Sequence, residues 1–508
     1  MDAAVAAALV LAVTHPQAGN LGGGGFAVVR LGSTLTTLDF REVAPAAATR
    51  DMYLDSDGSP REGASTIGPL AAGVPGSPTG LFTLHEELGA LPWREVVQPA
   101  VDIATQGFRL SRRLHRSLAS SRERLARFPE TAEAWLPGGD LPEIGDRLRF
   151  PELAASLAAY RDHGPEALTR GAVARRVVNV SARHGGILTL ADLAAYEPVW
   201  RAPVRFGAFG WQFASMGLPT SGGIILGQVF GMLEHRAVGE LESSGAERLH
   251  LVAEAWRQAF VDRVFLGDPA SSLVESNDLL DPERIERLAG LLSSGRARSS
   301  RAIAPDEVAL PREGSETTHL SVVDPAGGAV ALTTTLNSGF GSKLWVPGFG
   351  FLNNEMDDFT TAPGQANVYG LIQGEANTVA PGRRMLSSMT PTVAWKGDEI
   401  LVFGGQGGSL IPTATSWMAL GVLVDGLPLQ EAVDRPRIHH QWLPDRLSFE
   451  ERALSPETRA ELERRGHALA ELEWTAKVCA VRRTGDGLFE AAGDPRGPDV
   501  GGVVDPQP

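Results

Sequence analysis

The sequence predicts an α/β fold, and two observations carry that expectation. Between residue 81 and about residue 300, apolar side chains recur at three- and four-residue spacing, the mark of helices packed on one face. From Thr317 onward, short β-branched runs alternate with Gly, Pro, Asn and Asp turns, which reads as sheet. The helical stretches are 81–108, 114–127, 152–162, 165–184 and 246–265. Ahead of them, residues 3–13 form an unbroken apolar run, well short of the roughly 20 residues that span a bilayer. Asp2 stands where an export signal carries positive charge, so the run reads as a buried core helix. Residues 276–314 are charged, rich in Ser and Arg and free of aromatics, and from Ser293 they read as a mobile linker.

Composition narrows the function. With 508 residues, 43% hydrophobic and 21% charged, the chain has the make-up of a soluble globular protein, not of a disordered chain, coiled coil or fibre. Its 61 acidic residues outnumber 46 Lys and Arg, and the net charge of -15 repels phosphate backbones, so no nucleic-acid partner is expected. A single cysteine, Cys479, forms neither an internal disulfide nor a thiolate metal cage.

Three local motifs read as ordinary structure and not as ligand sites. Gly22–Gly25 precedes the strand-like Phe26–Arg30 with no Lys-Ser/Thr after it, so it reads as close backbone packing and not a phosphate loop. His85-Glu86-Glu87 begins like a zinc-protease helix, but Gly89 occupies the place of the second histidine, which leaves an exposed helix face. His439-His440 has no carboxylate at ligand spacing and reads as sheet packing or a surface contact. No metal or organic cofactor is expected.

The informative stretch is the hairpin that starts at Thr317. Thr317–Val323 and Ala329–Asn337 flank an Asp-Pro-Ala-Gly-Gly turn. Leu320 and Val322 share one face of the first strand, and Val330, Leu332 and Leu336 share one face of the second. Residues opposite each other in an antiparallel pair lie on the same face, so paired numbers must have an even sum, 652 or 654 with this turn. Thr317 then sits opposite Thr335 or Asn337. In either register the other face gathers Thr317, His319 and Ser321 against Thr333, Thr335 and Asn337. From pattern alone that face is an ordinary solvent-facing one. The sharper reading is that the linker is cut between Glu316 and Thr317. A terminal threonine carries an amine of pKa near ~7.7–8.0 beside its own hydroxyl, the base that an internal threonine lacks.

With these residues the chain resembles the γ-glutamyltransferase (glutathione hydrolase) family of N-terminal-nucleophile hydrolases. The matching stretches are Asp2–Ala8, Gly22–Phe26, Asp39–Pro45, Thr317–Asp324, Leu352–Phe359, Pro381–Pro391 and Gly404–Ser409, which in order and spacing cover nearly the whole chain. The resemblance implies a four-layer αββα sandwich built from two fragments of one precursor. These are a large fragment 1–316, with a linker at about 293–316, and a small catalytic fragment 317–508, which stay together as a heterodimer. It implies that Thr317 is the nucleophile, oriented by Thr335 or Asn337, and that Gly407 and Gly408 stabilise the oxyanion. It assigns the donor's α-carboxylate to Arg41, Ser387 and Ser388, its α-ammonium to Glu355, Asp358 and Asn337, and closure over the donor to Tyr369.

The implied substrates are glutathione and other γ-glutamyl compounds, with water, an amino acid or a dipeptide as acceptor. Asp358 favours γ-glutamyl over glutaryl donors, since a glutaryl group has no ammonium to pair with an anion. Two rival readings share the motifs: an N-terminal-threonine amidase acting on cephalosporin side chains or poly-γ-glutamate, and a binding homologue that never matures. Family members usually carry a further segment before the Asp-Ala-Ala-Val-Ala stretch, whereas this sequence begins at Met1-Asp2. The compartment therefore stays open: periplasmic or secreted with an upstream signal, cytoplasmic if Met1 is the true start.

Overall fold

The strand β1 (Gly24–Leu31) turns back on β2 (Thr34–Asp39), and β2 pairs in turn with β3 (Val199–Arg201). The chain then lays down β4 (Val204–Ala208) and β5 (Trp211–Ser215), followed after the linker by β6 (Thr317–Val323) and β7 (Ala329–Thr335). The last long strands are β8 (Thr392–Lys396), β9 (Glu399–Gln406), β10 (Lys477–Arg483) and β11 (Phe489–Ala492). They form two main sheets, ordered β3-β2-β1-β7-β6 and β11-β10-β9-β8-β5-β4. The computed structural model describes residues 1–293, 295–303, 317–361, 374–472, 475–497 and 500–504.

Alternation along the strands sorts the core into three apolar layers. Ala27 and Val29 of β1, with Val330 and Leu332 of β7, face an outer helical layer. That layer contains α1 (Asp2–Thr14), α2 (Ser77–Leu88), α3 (Trp93–Gln106), α4 (Arg112–Leu125), α5 (Pro151–His163) and α6 (Gly171–Arg183). Phe26, Val28, Ala329 and Ala331 point the other way and meet Val393, Ile400 and Val402 of the second sheet. Leu401 and Phe403 then pack outward on α7 (Gly222–His235), α8 (Ala246–Val261) and α9 (Ile411–Leu423). The result is the expected αββα sandwich.

The hairpin register is the one whose paired numbers sum to 652, with Thr317 opposite Thr335 and Leu320 opposite Leu332. Its polar face is not open to solvent. His319 is buried, bonded through Nδ1 to Thr333 (2.8 Å) and through Nε2 to Ser321 (2.9 Å), and its ring fills the space beside Gly404 of the second sheet. The face is inward because a second sheet covers it, which strand periodicity does not encode.

Other expectations divide in the same way. Residues 3–13 do form a core helix, with Ala4, Val5, Ala8, Leu9, Ala12 and Val13 buried. The stretch 81–108 is broken by Gly89 and Pro92 into two helices. The helices α7 and α9 went unread: almost all of their residues are buried, so no polar stripe marks a period. The second lies in the half read as sheet, while β4 and β5 lie in the half read as helical. His85 is not on an exposed face: its ring packs 5.1 Å from Trp93 and its Nε2 lies 3.3 Å from Asp2, while Glu86 and Glu87 are exposed. His439 and His440 are buried and bonded to Thr413, Gln441 and Arg257, which is packing of the expected kind. Among the described residues no helix is long and apolar enough to cross a membrane.

Candidate active site

Five segments converge at the end of the first sheet. Thr317 opens β6 and Thr335 closes β7, both buried, with their Oγ1 atoms 3.4 Å apart. Thr335 Oγ1 also accepts the main-chain N–H of Asn337 at 2.8 Å, and Asn337 itself has a left-handed backbone (φ 73°). Asn is among the few residues with a side chain that enter this region readily. The Asn337 amide is held by the carbonyl of Asn354 at 3.0 Å.

The Asp39-Phe40-Arg41-Glu42 motif acts by placing alternate side chains. Asp39 ends β2, accepts the Arg41 N–H at 3.0 Å and is anchored by Arg201 (2.9 Å) and Arg384 (3.2 Å). Phe40 enters the helix-facing core, which turns Arg41 toward the cleft. The Tyr196 hydroxyl donates to the Arg41 carbonyl at 2.8 Å and fixes that turn.

The 352–359 loop is pinned by its asparagines. Asn353 donates to the carbonyls of Gly22 (2.9 Å) and Gly73 (3.0 Å) and accepts from the N–H groups of Gly73 (2.9 Å) and Glu355 (3.0 Å). Glu355–Asp358 then forms one turn of 3₁₀-helix. Three residues per turn put Glu355 and Asp358 on the same side. Both reach Arg41: Glu355 at 2.7 Å from Nη1 and Asp358 at 2.5 Å from Nη2. Asp357 points elsewhere, to Ser65 at 2.6 Å.

Ser387 and Ser388 lie on a segment tied to residues 219–221, which lead into α7. Ser387 Oγ accepts the N–H of Met389 at 3.0 Å, whereas the buried Ser388 hydroxyl has no hydrogen-bond partner among the described residues. After β9, Gly407 (φ 138°) and Gly408 (φ 55°) take backbone conformations that side-chain-bearing residues rarely adopt. Together they turn the chain into α9 at the cleft.

One cleft is lined by Arg41, Thr317, Thr335, Asn337, Glu355, Asp358, Ser387, Ser388 and Gly408. Of the residues expected from sequence, Gly407 adjoins this lining, while Glu316 and Tyr369 lie outside the described residues. A sequence model of the family described as Gamma-glutamyltranspeptidase matches residues 1–504. The chain belongs to that family.

The glutathione hydrolase proenzyme of Escherichia coli (strain K12) is 40% identical over 505 residues, spanning 98% of this chain and 87% of that protein. The glutathione hydrolase proenzyme of Pseudomonas aeruginosa PAO1 is 39% identical over 522 residues, spanning 100% and 90%. Among solved structures, the cephalosporin acylase from Bacillus halodurans superposes with a TM-score of 0.85 over 100% of this chain and 91% of its own, at 22% identity, which bears on the fold alone. The gamma-glutamyltranspeptidase from Helicobacter pylori gives a TM-score of 0.59 over 60% of this chain and 88% of its own, at 34% identity. The sandwich of this γ-glutamyltranspeptidase-family chain is that of the N-terminal-nucleophile hydrolases.

Charge is concentrated at the deep end of the cleft. Burial alone would depress the Arg41 guanidinium, but Glu355, Asp358 and Glu42 (3.7 Å) surround it and hold it above its ordinary value. Burial raises the carboxyls of Glu355 and Asp358, against the pull of Arg41. Glu42, wholly buried behind Arg41, is likewise pushed up by burial. Beneath Thr317, His319 is pushed down to about 3 by burial and is therefore neutral across the physiological range. The imidazole is thus a packing and hydrogen-bonding group here, not a charge.

One charged lining residue was missed from sequence. Arg263 follows α8 in a short 3₁₀ turn (Asp262–Phe265) and borders the same cleft. The only signal was an arginine at the end of a helix buried along nearly its whole length, and no motif singled it out.

Proposed function

We propose that this chain is the precursor of a γ-glutamyl hydrolase and transferase that matures by cutting itself between Glu316 and Thr317. The observation that carries the reading is the position of Thr317. It is buried at the start of its strand, its hydroxyl faces that of Thr335, and it shares one cleft with Arg41, Glu355 and Asp358.

In maturation, Thr317 Oγ1 attacks the Glu316 carbonyl carbon, the C–N bond breaks, the hydroxyl proton ends on the released nitrogen and the acyl group moves to oxygen. Water then hydrolyses the ester and frees the Thr317 amine. The products are a large fragment, 1–316, and a small one, 317–508, held together as a heterodimer because β1 of the first pairs with β7 of the second.

In turnover, the freed amine takes the proton of its own hydroxyl as Oγ1 attacks the γ-glutamyl carbonyl. The Thr335 hydroxyl orients the attacking oxygen, and the N–H groups of Gly407 and Gly408 receive the oxyanion. The intermediate collapses, the proton passes to the leaving amine, and a γ-glutamyl ester of Thr317 remains. Water resolves it by hydrolysis, and an amino acid or dipeptide resolves it by transfer. Arg41, Ser387 and Ser388 receive the donor's α-carboxylate through charge-assisted and hydroxyl hydrogen bonds, with Arg41 shared between the donor and the side chains of Glu355 and Asp358. Glu355, Asp358 and Asn337 receive its ammonium. No metal or organic group enters any step.

The test is a denaturing gel with N-terminal sequencing of active material. Two bands are expected, the smaller of 192 residues and beginning Thr-Thr-His, and Thr317→Ala should leave a single band. Active protein that runs as one uncut chain would overturn the reading.

A further inference from the structure

The geometry points to Arg263 as a second receptor for the donor's α-carboxylate, working beside Arg41 and with Ser388. This inference rests on the γ-glutamyl reading above and names a residue that the family motifs leave out.

Arg263 is 2% exposed and lines the cleft that holds Thr317, Glu355 and Asp358. Its Nη2 reaches only the Leu386 carbonyl, at 3.5 Å, and its Nε and Nη1 have no hydrogen-bond partner among the described residues. Other buried arginines here have a carboxylate within ion-pair distance: Arg248 pairs with Asp425 (2.7 Å), Arg437 with Asp494 (2.6 Å) and Arg257 with Glu254. A buried guanidinium with open donors is costly unless something else fills them.

Arg41 is in the opposite state. Glu355 takes its Nη1 and Asp358 its Nη2, so an arriving carboxylate must share Arg41 with two anions already in place. Among the described residues of the cleft, the side-chain donor atoms with no partner are Arg263 Nε and Nη1 and the Ser388 hydroxyl. A zwitterionic glutamyl end fits this division, with its carboxylate toward Arg263 and Ser388 and its ammonium toward the Glu355 and Asp358 carboxylates. Burial pulls the Arg263 guanidinium down to about 10 while Asp358 opposes the shift, so it is charged at neutral pH.

The contrary role is structural: Arg263 would only balance the charge of Asp358. Three anilides separate the two. The γ-glutamyl compound carries both charges, the glutaryl compound keeps the carboxylate without the amine, and the 4-aminobutyryl compound keeps the amine without the carboxylate. With mature Arg263→Met, kcat/KM should fall about 10- to 100-fold on the first two, chiefly through KM, and less than about 2-fold on the third. Arg263→Lys, which keeps the charge and loses the fork, should fall between, and it carries the same comparison if the Met variant does not mature. Equal losses on all three compounds, or no loss on the γ-glutamyl one, overturn the inference. Unaltered protein that releases no aniline from the γ-glutamyl compound instead sinks the functional reading beneath it.

Discussion

The hydroxyl oxygens of Thr317 and Thr335 face each other at 3.4 Å across an antiparallel pair, and the Thr335 oxygen also accepts the N–H of Asn337. With one lone pair engaged by that N–H, Thr335 is a fixed dipole beside the proposed nucleophile. Replacing it with Val keeps shape and strand propensity but leaves the buried Asn337 N–H without its acceptor. Such a loss is worth about 1–3 kcal/mol, so Thr335→Val should slow both appearance of the small fragment and anilide hydrolysis by about 5- to 150-fold. A time-course gel and a steady-state assay on the same preparation check this. Unchanged rates would mean that Thr335 only packs.

The two carboxylates on the Glu355–Asp358 turn predict donor selectivity. Asp358→Asn removes a charge that the γ-glutamyl ammonium would pair with and that a glutaryl group does not use. The ratio of kcat/KM for γ-glutamyl over glutaryl anilide should therefore drop about 10- to 100-fold. Taking the ratio cancels any general loss from a disturbed Arg41. A constant ratio would contradict placement of the ammonium at Asp358.

Buried His319 makes stability depend on pH in a defined window. Its folded value, pushed down to about 3, lies below the 6.5 of the unfolded chain, so below pH 6.5 the unfolded state binds a proton that the folded state refuses. Stability is complete above pH 6.5 and is lost as pH falls toward 3, by about 1.4 kcal/mol per pH unit for one such group. His319→Gln should flatten the curve of unfolding free energy against pH by about that slope between pH 6 and 4. Urea titrations at several pH values measure it, and an unchanged slope would assign the acid sensitivity elsewhere. His15, His439, His440 and His467 are depressed in the same direction, each chiefly by burial, so the full protein should be strongly acid-labile.

Gly22 tests the glycine run. A methyl group there would overlap the Phe351 carbonyl, in the segment leading to the acidic turn. Gly22→Ala should cost about 1–3 kcal/mol of stability and reduce the yield of the cut form. A chemical melt alongside the gel would show both, and a fully stable, fully cut variant would count against close packing at this position.

What sequence revealed of this site depended on how local the signal was. The even-sum argument found the correct faces of the hairpin because period-two alternation is a property of neighbouring residues, and the structure chose between its two registers. Motif residues such as Arg41, Glu355 and Ser388 were recognisable, and they meet in one cleft. Long-range facts were out of reach. Burial of His319 depends on the second sheet, whose strand β9 brings Gly404 against its ring from 85 residues further on. The helix α9 shows no polar stripe because it is enclosed on all sides. Arg263 is marked locally only by the buried helix it follows, and its open donors are defined by what does and does not surround it.

The mixed origin of the strands in the first sheet has a final consequence. β1 and β2 precede position 316 and β6 and β7 follow it, yet all four lie in one hydrogen-bonded ladder. Severing the connection removes none of those bonds, so the native state would hardly register the break. The unfolded state would register it fully: two separate molecules would have to find each other before the ladder could re-form, and refolding would become concentration-dependent. The cut would work as a ratchet, leaving an assembly that persists through the height of its escape barrier and not through an easy way back.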